Sequence, residues 1–235
     1  MRIIIISLLV LNTILAIAQD TNDENDRKVK INSSRDRFAI NLNADNFYEK
    51  PDTLATKWYS RGMEVYLYYD RPFTQHSPFS IAPGIGIGAS NYFINSFITI
   101  DTNGISNFTQ IPNSLNYKKF KLSTLHADLP IELRFRTKPD HNGNSFKLGF
   151  GIKVGYLLGN HTKYKGEDLY NVTPGLTTRK ELGLKNMSQW RYGVTTRIGY
   201  GIFNVVGYYG LSPVFQFDKG PNVKAFSLGF SLNGF

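Results

Sequence analysis

Between residues 123 and 136 apolar and polar positions alternate. Leu125, Ala127, Leu129, Ile131, Leu133 and Phe135 form one set, and Thr124, His126, Asp128, Glu132, Arg134 and Arg136 belong to the other. Successive side chains of a β-strand point to opposite faces, so a period of two predicts a strand with one apolar and one ionisable face. Pro130 sits among the ionisable set. It has no N–H for a ladder, which predicts a local bulge.

The same period defines further strands. Phe38, Ile40, Leu42 and Ala44 alternate with Ala39, Asn41, Asn43 and Asp45, and Met63, Val65, Leu67 and Tyr69 with Glu64, Tyr66, Tyr68 and Asp70. A third strand sets Phe79, Ile81, Pro83, Ile85 and Ile87 against Ser80, Ala82, Gly84, Gly86 and Gly88; residues 123–136 are the fourth. The fifth sets Phe146, Leu148, Phe150, Ile152, Val154 and Tyr156 against Lys147, Gly149, Gly151, Lys153 and Gly155. In the sixth, Trp190, Tyr192, Val194, Thr196, Ile198 and Tyr200 oppose Arg191, Gly193, Thr195, Arg197 and Gly199. Residues 203–217 give a less regular seventh, and Phe226, Leu228, Phe230 and Leu232 mark the eighth.

Connections at 46–62, 98–119, 160–188 and 218–223 alternate with tighter ones at 72–78, 137–145 and 201–202, where Asn142-Gly143 is a hairpin signal. The expected fold is all-β, an eight-stranded antiparallel up-and-down transmembrane β-barrel occupying residues 38–235. A lipocalin-like soluble barrel and a β-sandwich share the strand count.

Composition bears on which face meets lipid. Glycines crowd the polar face, where they make room for long charged neighbours inside a narrow barrel. The apolar face, rich in Phe, Ile, Leu and Val with Tyr and Trp toward strand ends, suits hydrocarbon flanked by aromatic girdles. The expected lumenal charge network comprises Glu64, Asp70, His126, Asp128, Glu132, Arg134, Arg136, Lys147, Lys153, Arg191 and Arg197.

Residues 1–18 combine Arg2, an apolar run and small Ala16 and Ala18, the pattern of a signal peptide cleaved after Ala18. Residues 19–37 are polar and charged, which predicts a disordered leader. The chain contains no cysteine, so disulfides and thiolate metal sites are excluded. The net charge of +9 is spread over strands, which favours a lumenal or solvated role over nucleic-acid binding.

The stretch "TLHADLPIELRFR" resembles a strand of the PorT-like, "porin family" outer-membrane β-barrel proteins of Gram-negative bacteria, with Leu129-Pro130-Ile131 and Arg134 matching. "KLGFGIKVGYLLG" and "YYGLSPVF" are similar to two further strands of that family, and "FSLGFSLNGF" approximates the terminal signal read by the barrel-insertion machinery. In this chain Phe235 falls on the face opposite Phe226, Leu228, Phe230 and Leu232 unless Gly234 allows a bulge. The resemblance implies a bacterial outer-membrane location, outer-membrane lipid and the insertion machinery as partners, and secretion-apparatus proteins as further partners.

Other motifs carry little chemistry. "GIGIG" at 84–88 has strand period and no following helix, so it is no phosphate loop. His76, His126, His141 and His161 lack metal-ligand spacing. His126 and Asp128 share a face as a base and its orienter would, without an adjacent serine nucleophile. Asn107-Phe108-Thr109 and Asn171-Val172-Thr173 read as asparagine-rich loop sequence, and the 160–188 connection is long enough to recognise a partner. The expected function is therefore a non-enzymatic structural or accessory barrel without a cofactor. A narrow diffusion channel, a lipid-modifying enzyme and a soluble ligand-binding barrel are the alternatives.

Overall fold

The computed structural model describes residues 37–74, 77–112, 115–167 and 175–234. The signal-peptide and leader readings, apart from Arg37, lie outside these residues, as does Phe235. Among the described residues there are twelve strands: β1 (Phe38–Tyr48), β2 (Arg61–Tyr68), β3 (Arg71–Pro72), β4 (Phe79–Phe93), β5 (Ser96–Ile100), β6 (Ser106–Gln110), β7 (Tyr117–Arg136), β8 (Phe146–Glu167), β9 (Leu176–Leu182), β10 (Trp190–Tyr200), β11 (Phe203–Pro213) and β12 (Lys224–Gly234). No helix among the described residues is long and apolar enough to cross a membrane.

Eight of these strands, β1, β2, β4, β7, β8, β10, β11 and β12, form a closed antiparallel barrel. Closure pairs the first and last, from Phe38↔Gly234 to Tyr48↔Lys224 without a slip. A closed sheet leaves no unpaired backbone edge, which hydrocarbon could not satisfy.

Burial along the barrel is the reverse of that in a water-soluble protein. Leu129 is 57% exposed and Phe230 73%, whereas Asp128 is wholly buried and Lys153 is 2% exposed. Over the lipid-facing part of the barrel strands apolar groups face outward and ionisable groups face inward. On β7 the outward apolar run from Leu125 to Phe135 covers roughly 33 Å of strand, or about 25 Å once tilted, the height of a lipid-facing band. Tyr156 and Trp190 pack edge to face at one rim, with ring centroids 5.0 Å apart.

Three sequence expectations change. At Pro130 no bulge forms: Pro130 pairs in register with Lys153 on β8, and the β4–β7 ladder keeps its register from Pro83↔Ile131 to Gly86↔Asp128. The missing N–H is absorbed by a gap in that ladder. The shifts in β7–β8 pairing lie at Tyr117/Lys119 and Leu125/His126 instead.

Strand edges also move. The segment read as a loop over 160–188 contains the end of β8 and all of β9, and 98–119 contains most of the β5–β6 hairpin and the start of β7. The seventh strand ends at Pro213 rather than residue 217. The long connections pack into a cap. Phe47, Tyr92, Phe120, Leu122 and Tyr164, at the long-loop ends of barrel strands, form one apolar core with Leu54, Ile94, Met187, Phe215 and Val223.

Candidate functional site

Inward-facing charges form two tiers inside the barrel. In the tier nearer the cap, Arg191 donates to Asp128 through Nη2 at 2.6 Å and Nε at 3.1 Å. The Tyr66 hydroxyl adds a third donor to Asp128 at 3.0 Å. Lys153 Nζ donates to Glu64 Oε1 at 2.6 Å, Asn41 Nδ2 donates to Glu64 Oε2 at 3.0 Å, and Lys153 lies 4.1 Å from the centre of the Tyr208 ring. Arg191 also approaches Glu64 at 3.9 Å, which joins the two pairs.

The second tier centres on Glu132. Arg134 Nε donates to it at 2.8 Å, Arg197 Nη2 at 3.2 Å and the Tyr68 hydroxyl at 2.8 Å. Arg197 continues to Ser231 Oγ at 2.7 Å and Asn233 Oδ1 at 3.0 Å, so the tier reaches across to β12. Arg134 meets Asp70 at 3.3 Å and Arg136 meets it at 3.8 Å. The Arg134 guanidinium lies 4.2 Å from the centre of the Tyr68 ring. Removing charges from water is costly, and bidentate or multiply donated pairing offsets the cost.

Glycine provides the space. The cross-strand neighbours of Asp128 are Gly86 and Gly155; Gly151 lies beside Glu132, Gly149 beside Arg134 and Arg197, and Gly88 beside Glu64. A Cβ at Gly155 would overlap Asp128 Oδ1 and stand 2.9 Å from Arg191 Nε. At Gly86 it would overlap the Tyr66 ring.

One residue of the sequence-derived set stands apart. His126 is buried, and its Nδ1 has no hydrogen-bond partner. Asp128 is committed to Arg191 and Tyr66, and no His126–Asp128 hydrogen bond forms. Lys147 is half-buried opposite Arg136 near the tight-turn end. Among the described residues no group of three or more His, Asp or Glu side chains is placed to hold a metal ion.

Sequence reasoning passed over Tyr66, Tyr68 and Tyr208 as site residues, although Tyr66 and Tyr68 share the phase of Glu64 and Asp70. Phase was the usable signal. An aromatic residue in the ionisable phase of a strand must place its hydroxyl among lumenal charges, because buried tyrosine needs a polar partner.

Residues 17–216 match the outer membrane protein beta-barrel domain family. The chain belongs to that family. That description does not name the PorT-like group. Two solved structures of Ail, the attachment invasion locus protein of Yersinia pestis, are similar to it. One has 12% identity and a TM-score of 0.36, over 84% of this chain and 95% of that one. The other, in complex with the heparin analogue sucrose octasulfate, has 11% identity and a TM-score of 0.32 over the same shares, 84% and 95%. No curated protein matches the chain.

Proposed function

We propose that this outer-membrane barrel is a non-enzymatic, non-conducting scaffold, with a structural or accessory role centred on the cap formed by its long connections. One observation carries the reading: the lumen is crossed by paired charges at two levels, Arg191–Asp128 with Lys153–Glu64, and Arg197–Glu132 with Arg134–Asp70. Eight strands enclose an interior that side chains fill, whereas water-filled channels occur in barrels of about 16 strands. The apolar core of the cap adds a second closure above the charges.

A non-enzymatic role also fits the fate of the histidine. His126 has no orienting carboxylate, so the base of a lipid-modifying reaction lacks its partner. The resemblance to PorT-like proteins, carried by three short strand motifs, is the support for a link to a secretion or motility apparatus. Pull-down of the intact barrel from outer membranes tests that link: apparatus components should be enriched, and their absence counts against it.

Planar-bilayer recording tests the plug. The unmodified protein should be silent, and the Asp128→Ala, Glu132→Ala double variant should leak as unpaired arginines hydrate. Large, stable conductance steps from the unmodified protein would overturn the plugged reading in favour of a channel.

A further inference from the structure

Beyond the lipid-facing band, β7, β8 and β9 continue as a three-stranded sheet with unlike faces. Phe120, Leu122 and Tyr164 turn inward and are buried in the cap core. By alternation the opposite face carries Lys119 and Lys121 on β7, His161, Lys163 and Lys165 on β8, and Lys180 on β9. Strand register places these cations in rows. Lys121 is opposite Lys163, which is opposite Lys180; Lys119 is opposite Lys165.

Like charges directly opposite one another destabilise a sheet. Among the described residues none of the five lysines forms an ion pair, Lys121 Nζ donates to the neutral Asn91 Oδ1 at 2.6 Å, and Glu167, in the same phase at the end of β8, accepts from the Asn116 backbone N–H. Glu181, the nearest acid along β9, is paired with Arg179 at 3.0 Å. Burial, and then the neighbouring lysines, hold Lys121 and His161 below their ordinary pKa values, as the register of the rows implies.

The position of the rows indicates their counter-ion. This face is the same one that carries Leu125, Leu129 and Leu133 on β7. The apolar tier ends at Leu125, Leu158 and Leu182, exposed by 39%, 55% and 73%. Lys121 is four residues beyond Leu125, roughly 13 Å along the strand and about 10 Å higher once tilted. Lysine stems lie along apolar surface while the ammonium seeks a polar layer, and headgroups begin where hydrocarbon ends. Arg61, exposed at the long-loop end of β2, adds a cation at the same rim.

We propose that the Lys121–Lys163–Lys180 row, flanked by Lys119, Lys165 and Arg61, is a binding site for phosphate groups on the headgroups of membrane lipid in the leaflet at the long-loop end. Phosphate oxygens accept several charge-assisted hydrogen bonds, and a lipid carrying two phosphates spans neighbouring lysines. The surface is continuous with the lipid-facing band, so a lipid needs no docking step beyond lateral diffusion. The site is independent of the plugged lumen.

The test compares the thermal unfolding midpoint of the full-length barrel in nanodiscs of phosphatidylcholine alone, of phosphatidylcholine with lipid A, and of phosphatidylcholine with enzymatically dephosphorylated lipid A. Lipid A should raise the midpoint of the parent by several degrees, and high salt should remove most of that gain. The Lys121→Gln, Lys163→Gln, Lys180→Gln variant should gain nothing from lipid A. In phosphatidylcholine alone it should unfold no earlier than the parent, since its like-charge row is relieved. A charge-matched control, Lys50→Gln, Lys138→Gln, Lys185→Gln, should keep the parent's response. An equal gain with dephosphorylated lipid A or in the row variant overturns the proposal, as does an equal gain from free inorganic phosphate in phosphatidylcholine discs.

Discussion

At the scale of single residues, Asp128 is the most committed group in the lumen. Wholly buried, it accepts from Arg191 Nε and Nη2 and from the Tyr66 hydroxyl. Asp128→Ala leaves the Arg191 guanidinium with only the 3.9 Å approach of Glu64, and breaking a buried pair in this way costs about 3–5 kcal/mol. Denaturant unfolding of the refolded barrel should show that loss, with Asp128→Leu combined with Arg191→Met recovering most of it. Equal losses in the single and double variants would refute the pairing as the source. At the tight-turn end, Asp140 is exposed and accepts from the Tyr200 hydroxyl and from the backbone N–H groups of Asn142 and Asn144. The Tyr200 hydrogen bond, then the backbone donors, hold its carboxyl below the ordinary aspartate pKa. A depressed folded-state pKa means that the contribution to the turn is present above the unfolded-state value and fades as pH falls through the folded one. An NMR titration should place the Asp140 midpoint below that of a free aspartate, and Tyr200→Phe should move it upward.

At the scale of elements, closure depends on β12, whose backbone pairs with β1 on one side and β11 on the other. Deleting residues 224–235 exposes two unsatisfied edges to hydrocarbon, where each unpaired group is costly. The truncated chain should fail to insert and should be digested by added protease; a truncated chain that inserts and resists digestion would contradict the closure argument. The strands themselves were legible because a period of two fixes the face of every residue at once, so Glu64, Asp128, Glu132 and Lys153 could be placed inward from phase alone. Which acid meets which base was not legible. Arg191 reaches Asp128 because β10 and β7 both flank β8 in a particular register, and register follows from turns and closure that lie outside any single strand. The continuation of β8 to Glu167 was hidden for a different reason. There Lys163, Tyr164 and Lys165 alternate between charge and an aromatic core residue, with few aliphatic positions to mark a strand. Pro130 misled because a missing donor was equated with a bulge, whereas a gap in one ladder absorbs it without a slip.

At the scale of the whole molecule, the two ends of the barrel differ enough to argue its orientation. At one end Asp140 and Gly143 close a tight hairpin, and Thr137 meets Phe146 across it. At the other, the connections tie to one another: Thr56 bridges to Ile94, Met187 to Phe215, and Asn186 Nδ2 donates to the Gly104 carbonyl at 2.8 Å. Barrels of this class keep short turns on the periplasmic side and longer loops outside. The lysine rows lie at the long-loop end, so the same orientation decides which leaflet they would meet. Because the chain has no cysteine, one introduced thiol is a unique reporter. Lys185→Cys, exposed in the cap, should react with a membrane-impermeant maleimide on intact cells, and Asn142→Cys, exposed in the tight turn, should react only after the outer membrane is opened. The opposite labelling would invert the barrel, moving the cap to the periplasm and the lysine rows to the inner leaflet.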